Sequence, residues 1–118
     1  MTQYIGVDIV EIGRIKKAAS RWGEHFLRRV YTGPELELYG KKPQSLAARF
    51  AGKEAVSKAL QKPTGISWQQ IEILADAEGK PLVRLYGKAK EHADSLGLNK
   101  LAISLSHSRE YAIAFVVG

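Results

Sequence analysis

The 118-residue sequence contains no cysteine. Disulfide bonds, thiolate metal sites and a thiol nucleophile are therefore excluded, and a reducing compartment suits the chain. No apolar run approaches the roughly 20 residues that span a membrane. Met1 leads directly into a strand-like segment, without the basic and apolar regions of a signal peptide. We expect a cytoplasmic protein that makes no contact with a membrane.

The sequence also lacks low-complexity runs and internal repeats. Its apolar fraction of 45% and charged fraction of 25% are typical of an ordinary globular protein. A chain of 118 residues has the size of one domain with a real core. We therefore predict a single domain over residues 1–118, with one site or a site shared between copies.

The formal charge is +6, from 18 basic and 12 acidic residues. A bias of this size indicates an acidic partner, which is a nucleic acid, an acidic protein or a phosphorylated small molecule. Nucleic-acid binders usually add exposed aromatic residues that stack on bases. Here the aromatic residues fall mostly at core-like positions, namely Trp22 and Phe26 at helical spacing and Tyr111 and Phe115 in a strand. The charge indicates the class of partner and not its identity.

Alternating apolar residues predict strands near both ends of the chain and a hairpin between them. The predicted strands are Tyr4–Ile12, Trp68–Asp76, Leu82–Tyr86, Leu101–His107 and Tyr111–Val117. The last strand is apolar on both faces, which predicts helices on one side and either another subunit or a closed sheet on the other. We favour a contact between subunits.

Helical spacing of apolar residues predicts one long helix from Ile12 to Val30, with Trp22 anchored in the core. Three further helices are a short one from a capping box at Thr32 to Gly40, one from a Ser45 cap to a stop at Pro63, and Lys88–Leu96. The order of elements predicts an α+β domain in which an antiparallel sheet carries helices on one side.

The helix that precedes Pro63 has two unlike faces. Its ionic face carries Arg49, Lys53, Glu54, Ser57 and Lys58. Its opposite face carries Ala48, Ala51, Gly52, Ala55 and Ala59. Small residues let a helix backbone approach its neighbour closely, so we predict tight packing with the ionic face directed at a specific place. The alternative is that Glu54 and Lys58 form an ordinary i, i+4 surface pair, worth about 0.2 to 0.5 kcal/mol.

Asp8 lies in the middle of an apolar strand, where a buried carboxylate without a partner costs several kcal/mol. Its partner can be a lysine or an arginine. A magnesium ion is the second alternative, because Mg²⁺ is typically held by one or two carboxylates, water and phosphate oxygens. Asp8 and Glu54 are candidates for such a pair, although sequence spacing alone does not bring them together.

The stretch SLSHS, Ser104 to Ser108, ends a strand in a hydroxyl-rich turn that contains His107. A lone histidine at a strand end is more often structural than functional. A turn that offers histidine, serine and arginine donors does suit a phosphate group. No zinc signature, nucleophile elbow or glycine-rich phosphate loop is present in the sequence.

Three motifs occur together in this chain. GVDIVEIGRI fits G-x-D-x5-R with Gly6, Asp8 and Arg14; RFAGKEAVSKA fits F-x-x-K-E-A-x-x-K; and SLSHSREYAIAFV closes the sequence. In this order and at this length, the sequence resembles the holo-(acyl-carrier-protein) synthases, the short class of 4'-phosphopantetheinyl transferases. The resemblance extends from Ile5 to Val116, and Gly52 stands where the family more often has another small residue.

The resemblance implies a transferase-like α+β fold and transfer of the phosphopantetheine arm of coenzyme A to a serine of an apo acyl carrier protein in fatty acid biosynthesis, with release of adenosine 3',5'-bisphosphate. By motif, Asp8 and Glu54 would hold Mg²⁺, and Glu54 and Lys58 would be catalytic, with Glu54 or a metal-bound water as the base. The implied coenzyme-binding residues are Arg49, Lys53, Lys58, His107 and Ser108.

The resemblance also gives the positive charge an acidic partner, because carrier proteins are acidic around the serine that is modified. The implied carrier-binding residues are Arg14, Arg21, Arg28 and Arg29. Family members are trimers that bind the coenzyme between subunits, which agrees with the apolar closing strand. The alternative function is a small basic nucleic-acid-binding module, in which Asp8 forms a structural ion pair and neither Mg²⁺ nor coenzyme A is needed.

Overall fold

The structure, a computed structural model, describes residues 3–118. Its elements in chain order are β1 (Ile5–Glu11), α1 (Ile12–Trp22), α2 (Glu24–Val30), α3 (Gly33–Tyr39), α4 (Pro43–Ala59), β2 (Ile71–Ala75), β3 (Pro81–Leu85), α5 (Gly87–Ser95), β4 (Ala102–His107) and β5 (Tyr111–Val117). A single 3-10 turn, Trp68–Gln70, precedes β2. Within residues 3–118, none of the helices combines the length and the apolar character that crossing a membrane requires.

The strands form two antiparallel sheets, a three-stranded sheet in the order β1-β5-β4 and the hairpin β2-β3. In the larger sheet β5 is central, with Asp8 opposite Ala114 on one side and Leu105 opposite Ala114 on the other. Helix α4 covers one face of this sheet. The predicted α+β fold with an antiparallel sheet and helices is confirmed, and the hairpin and α5 lie where the sequence predicts them.

The contact between α4 and β1 depends on glycine and alanine. A Cβ atom added at Gly6 would collide with the carbonyl oxygen of Ala55 and would lie 2.9 Å from the backbone nitrogen of Ala59. Ala51 and Ala55 are themselves fully buried. The small face of α4 is therefore in tight contact with the sheet, as predicted.

The opposite face of the three-stranded sheet is apolar and exposed. Its large side chains are Ile5, Val7, Ile9, Tyr111, Ile113 and Phe115, each at least 40% exposed. The prediction that Tyr111 and Phe115 occupy core positions is wrong for this chain, because strand alternation turns them away from α4 while Ala112, Ala114 and Val116 face it.

The predicted long helix from Ile12 to Val30 is in fact two helices. Gly23 lies between α1 and α2 with φ of 55° and ψ of −135°, a conformation that ends the first helix and turns the chain. Trp22 is 56% exposed, which corrects the prediction that it anchors the helix in the core. Ile12 and Ile15 are the buried residues of α1.

The start of α4 differs from its prediction, and the start of α3 agrees with its prediction. Helix α4 begins at Pro43 after Lys42, so Ser45 lies within the helix and is not its cap. Proline suits a first helical position because its missing N–H has no partner there anyway. The predicted capping box is confirmed: the Thr32 hydroxyl accepts from Glu35 N, and the Glu35 carboxylate accepts from Thr32 N.

Candidate active site

Asp8 and Lys58 meet across the contact between β1 and α4. Lys58 Nζ lies 3.2 Å from Asp8 Oδ1 and donates to the carbonyl oxygen of Val7 at 2.9 Å. The Asp8 side chain is 19% exposed and that of Lys58 is 37% exposed, so both are partly open to solvent. Gly6 makes this meeting possible, because the close approach of the backbones brings the strand residue under the helix.

This contact answers one question that the sequence left open. Lys58 pairs with the strand carboxylate, and the i, i+4 pair with Glu54 is not among the ion pairs found within residues 3–118. Glu54 lies one helical turn before Lys58 on α4 and is only partly buried. Of the two carboxylates in the predicted metal pair, Asp8 contacts Lys58, and Glu54 lies on the same helix as that lysine.

A cavity of about 210 Å³ lies beside Glu54. Lys53, Glu54 and Ser57 line it from α4. The segment that follows the helix lines it with Ile66, Ser67, Trp68 and Ile71. Within residues 3–118, no three His, Cys, Asp or Glu side chains form a group that could hold a metal ion. Two carboxylates fit Mg²⁺ when the remaining ligands are water and phosphate oxygens.

Arg49 and His107 line a second cavity, also about 210 Å³, together with Ser45 and Gly79. The Arg49 Nε donates to the carbonyl oxygen of Ile73 at 3.3 Å. Its guanidinium carbon lies 3.7 Å from the centre of the Tyr39 ring. Burial lowers the pKa of Arg49, while the Tyr39 side chain and the charge of Glu35 oppose that shift.

The structure therefore brings Arg49 and the exposed His107, two of the coenzyme contacts that the resemblance implies, to one concave surface. Arg49 is held in place by Tyr39 and Ile73, so its direction is set before any ligand arrives. No pattern in the sequence indicates this position for Tyr39, since an aromatic residue near the end of a short helix is equally compatible with core packing.

Lys53 lines the cavity beside Glu54, but its ammonium is already bonded to protein groups, and its predicted contact with a coenzyme phosphate stays a prediction. The side chain is fully buried and pairs with Glu35 Oε1 at 2.8 Å. The same nitrogen donates to the carbonyl oxygens of Trp68, at 3.2 Å, and Ile71. Burial lowers the pKa of Lys53, and the charge of Glu35 opposes that shift.

Glu35 and Glu72 are buried acidic residues that sequence reasoning did not place in a network. The Glu72 carboxylate accepts from the Thr32 hydroxyl at 2.7 Å and from the Tyr86 hydroxyl at 2.9 Å. The capping box identified Glu35, but nothing in the sequence indicated that its carboxylate also accepts from Lys53. This network joins α3, α4 and the β2-β3 hairpin.

Ser108 lies in the turn between β4 and β5, next to His107. Its hydroxyl oxygen accepts from Tyr111 N at 3.2 Å and from Glu110 N at 3.4 Å. These bonds give Ser108 a role in shaping the turn. Its predicted contact with the coenzyme stays a prediction.

The four arginines predicted to bind a carrier are exposed and are divided between α1 and α2. Arg14 and Arg21 belong to α1, and the Arg21 guanidinium lies 4.9 Å from the ring centre of the exposed Trp22. Arg28 of α2 pairs with Glu24 at 2.6 Å. The two helices present a basic surface with an aromatic residue in it, and sequence periodicity had assigned that residue to the core.

Comparison with known proteins identifies the family. The model of the 4'-phosphopantetheinyl transferase superfamily matches residues 4–116. The chain is 57% identical over 114 residues to the holo-[acyl-carrier-protein] synthase of Dehalococcoides mccartyi (strain CBDB1), with 97% of this chain and 96% of that protein covered.

Two solved structures have the same fold. One is Helicobacter pylori holo-[acyl-carrier-protein] synthase in complex with coenzyme A, with a TM-score of 0.85, 40% identity and coverage of 95% of this chain and 96% of that one. The other is the ACPS–CoA complex of Chronobacterium ammoniagenes, with a TM-score of 0.86, 30% identity and coverage of 99% and 96%. Both similarities extend over nearly the whole length of each chain.

Proposed function

The chain belongs to the 4'-phosphopantetheinyl transferase superfamily, and we propose that it transfers the phosphopantetheine arm of coenzyme A to a serine of an apo acyl carrier protein. In this reaction the serine oxygen forms a bond to the phosphorus that carries pantetheine. The bond from that phosphorus to the bridging oxygen breaks, and adenosine 3',5'-bisphosphate leaves. The serine proton passes to a base.

The observation that carries this proposal is the meeting of Asp8 and Lys58, one helical turn from Glu54. A pyrophosphate that is attacked needs positive charge near its oxygens, and a site with fixed charges stabilises the transition state more than water does. Lys58 is a half-exposed cation that could reach such oxygens without leaving the surface of α4. Its pair with Asp8 holds the ammonium at the contact between β1 and α4.

We assign the magnesium ligands to Asp8 and Glu54. Bound Mg²⁺ would neutralise charge on the pyrophosphate and orient it. Asp8 Oδ1 accepts from Lys58, and its second oxygen has no protein partner among the contacts of residues 3–118. The Glu54 carboxylate lines the cavity beside the helix and is a second oxygen donor there. It is also the candidate base for the serine proton, directly or through water.

Arg49 and His107 are the proposed contacts for the remaining phosphate of coenzyme A. They line one cavity, and the guanidinium is held over Tyr39 so that it loses little freedom on binding. A guanidinium binds phosphate through charge-assisted hydrogen bonds of fixed geometry. Ser108 is a further proposed contact in the adjacent turn.

The basic surface of α1 and α2 is the proposed docking site for the carrier protein. Arg14, Arg21 and Arg29 supply exposed positive charge, and Trp22 adds an apolar contact. We expect Arg14→Glu to raise KM for the carrier, less so at high salt because screening weakens long-range attraction. KM for coenzyme A should not change.

A matched control for this variant is Lys100→Glu, which makes the same change of charge at an exposed residue between α5 and β4. Steady-state kinetics with each substrate varied in turn, at low and high salt, separate the two sites. If Arg14→Glu alters KM for coenzyme A and leaves that for the carrier unchanged, Arg14 belongs to the coenzyme site.

A homotrimer with sites between subunits is the proposed assembly. The exposed apolar face of the three-stranded sheet supports it, because an apolar patch of this kind marks an interface. We expect Phe115→Lys to give a monomer by light scattering and to lower transfer. Leu38→Lys is the control, since Leu38 is 54% exposed on α3, outside that face. A trimeric Phe115→Lys protein would contradict the assignment of this face.

We further propose that residues 1–118 act as one domain in the cytoplasm, in fatty acid biosynthesis. Buried residues from β1 to β5 form one hydrophobic cluster, which supports a single domain. The proposed substrates, coenzyme A and a carrier protein, support the compartment and the pathway.

The central experiment is incubation of the protein with coenzyme A, Mg²⁺ and an apo acyl carrier protein, followed by mass spectrometry of the carrier. The expected result is a carrier heavier by one phosphopantetheine arm. Reactions without coenzyme A or with excess chelator are the controls. No modification of any bacterial carrier, where a known transferase succeeds, would overturn the proposed activity. Stabilisation by nucleic acid instead of coenzyme A in a thermal shift would then favour the nucleic-acid-binding alternative.

A further inference from the structure

Lys53 is the charged residue of α4 for which the proposed reaction gives no role. Its ammonium contacts Glu35 Oε1 and the carbonyl oxygens of Trp68 and Ile71. An ammonium has three N–H donors, and each has a partner here. Lys53 lines the cavity beside Glu54, but its side chain is fully buried and its ammonium has no free donor to offer a substrate.

Glu35 connects the same network to Ile73, which follows Trp68 and Ile71 in the chain. Its Oε2 accepts from Ile73 N at 2.8 Å, and its Oε1 accepts from Thr32 N at 2.9 Å. Together, Lys53 and Glu35 hold two carbonyl groups and one amide within residues 68–73. Most lysines fix no backbone in this way, because an exposed ammonium bonds water instead.

The backbone that the network holds is a wall of the cavity beside Glu54. Trp68 and Ile71 line this cavity together with Glu54 and Ser57. The Trp68 ring is also stacked on Phe50 of α4, with a centroid distance of 4.9 Å. The buried ammonium and this stacking contact therefore set the distance between the wall and the carboxylate.

We propose that Lys53 is a positioning residue for phosphopantetheine transfer, which fixes the Trp68–Ile71 wall opposite Glu54 through its pair with Glu35. This inference rests on the proposed function, because it assigns a role within that reaction. Displacement of a wall by about 1 Å can lower a rate by as much as roughly 10²-fold, even when the altered residue lies away from the chemistry.

The test separates stability from positioning. Lys53→Met keeps the side-chain length but leaves the Glu35 carboxylate buried without its cation, and we expect its Tm to fall strongly. The double variant Glu35→Gln/Lys53→Met removes both charges, and we expect its Tm to return toward that of the parent. Despite this, its kcat/KM for transfer should remain roughly 10- to 100-fold below the parent.

A second readout follows the wall itself. The chain has two tryptophans, so a Trp22→Phe background leaves Trp68 as the only one. In this background, Glu35→Gln/Lys53→Met should increase the quenching of Trp68 by acrylamide. The control removes an exposed pair, Lys90 and Asp94, which lie 2.7 Å apart on α5. Lys90→Met/Asp94→Asn should alter neither quenching nor kinetics.

A folded double variant with the kcat/KM of the parent would overturn the proposal, whatever its quenching, because the wall would then not matter to the reaction. If that variant does not fold, Glu35→Gln alone decides, with a fall in kcat/KM and greater quenching expected and no change in either overturning the proposal. If the parent itself modifies no carrier, the proposed function fails. The quenching measurement then decides whether Lys53 holds the wall.

Discussion

Lys53 and Lys58 both lie on α4, and each pairs with a carboxylate from another element. The Lys53–Glu35 pair is 0% exposed on both sides, with 2.8 Å between the atoms. The Lys58–Asp8 pair is 37% and 19% exposed, with 3.2 Å between the atoms. The first ammonium also bonds two carbonyl groups of a neighbouring segment, whereas the second bonds one carbonyl group at the edge of the sheet.

This difference shows that one helix can carry a lysine that stabilises the fold and another that is available to a substrate. A buried pair is costly to desolvate and is retained only when every donor and acceptor has a partner, so it has little capacity for a ligand. A partly exposed pair gives up little when one member turns to a substrate. Lys53 and Lys58 differ in role because their side chains leave α4 on different sides, one toward buried residues and one toward a partly exposed contact.

The largest expected effect is on stability, from Lys53→Met. Removing one member of a buried pair leaves an uncompensated charge and should lower the free energy of unfolding by about 3 to 5 kcal/mol. Urea denaturation followed by circular dichroism measures the change.

Lys58→Met is the matched variant for that measurement. It should lower the free energy of unfolding by less than about 1 kcal/mol, because a partly exposed pair contributes little. The same variant should lose most of its transfer activity. Equal losses of stability in the two variants would show that exposure does not distinguish the pairs.

The next effect concerns the two carboxylates near Lys58. Asp8→Ala and Glu54→Ala should each fold and should lower transfer by at least roughly 10²-fold, or about 2.7 kcal/mol, the scale of electrostatic transition-state stabilisers. Activity is measured over a magnesium titration, with Glu91→Ala, an exposed residue of α5, as the control. A variant with near-normal rates at limiting Mg²⁺ would show that its carboxylate is not a ligand.

A smaller loss of stability is expected from Gly6→Ala. The added Cβ collides with backbone and not with a flexible side chain, so β1 and α4 must separate. Overpacking of this kind costs about 1 to 3 kcal/mol, and the Asp8–Lys58 contact should lengthen with it. Gly13→Ala is the control, because a Cβ at Gly13 meets nothing within 4 Å. Equal unfolding free energies for the two variants would contradict this account of the close approach.

The smallest effect concerns the chain after α4. Lys62 has φ of 49°, in the left-handed region that costs a residue with a Cβ atom about 1 kcal/mol or more. Lys62→Gly should relieve this strain but gain freedom in the unfolded chain, for a net stabilisation of about 0.5 kcal/mol. Thermal unfolding should show a slightly higher Tm. A clear fall in Tm would show that the lysine side chain stabilises the turn.

Local patterns in the sequence predicted much of the fold. The hairpin, α5, the two closing strands and the Thr32–Glu35 capping box follow from short-range signals, and all are present. The division of the first helix at Gly23 was missed because apolar spacing continues across the glycine. Periodicity reports which residues could share a face and does not report a backbone with a positive φ.

The sequence predicted which residues belong to the candidate site but not how those residues are arranged. Motif order indicated Asp8, Glu54 and Lys58, but the Asp8–Lys58 contact depends on the packing of β1 against α4, which spacing along the chain does not encode. The resemblance implied that Lys53 contacts the coenzyme, and no local pattern showed that its ammonium is bonded to protein groups. The direction of that ammonium is set by Glu35, a residue from another helix whose burial has no signature in the sequence.

The order of the strands has a consequence for synthesis on the ribosome. Within residues 3–118, β5 is the one strand that pairs with β1, so the strand hydrogen bonds of β1 cannot form before Tyr111–Val117 has been made. Contacts between such distant parts of a chain form late and slowly. The sheet that holds Asp8 beside Lys58 is thus completed only after nearly all of the chain has been made. A nascent chain that stalls before β5 carries every residue of the proposed metal site without the complete sheet.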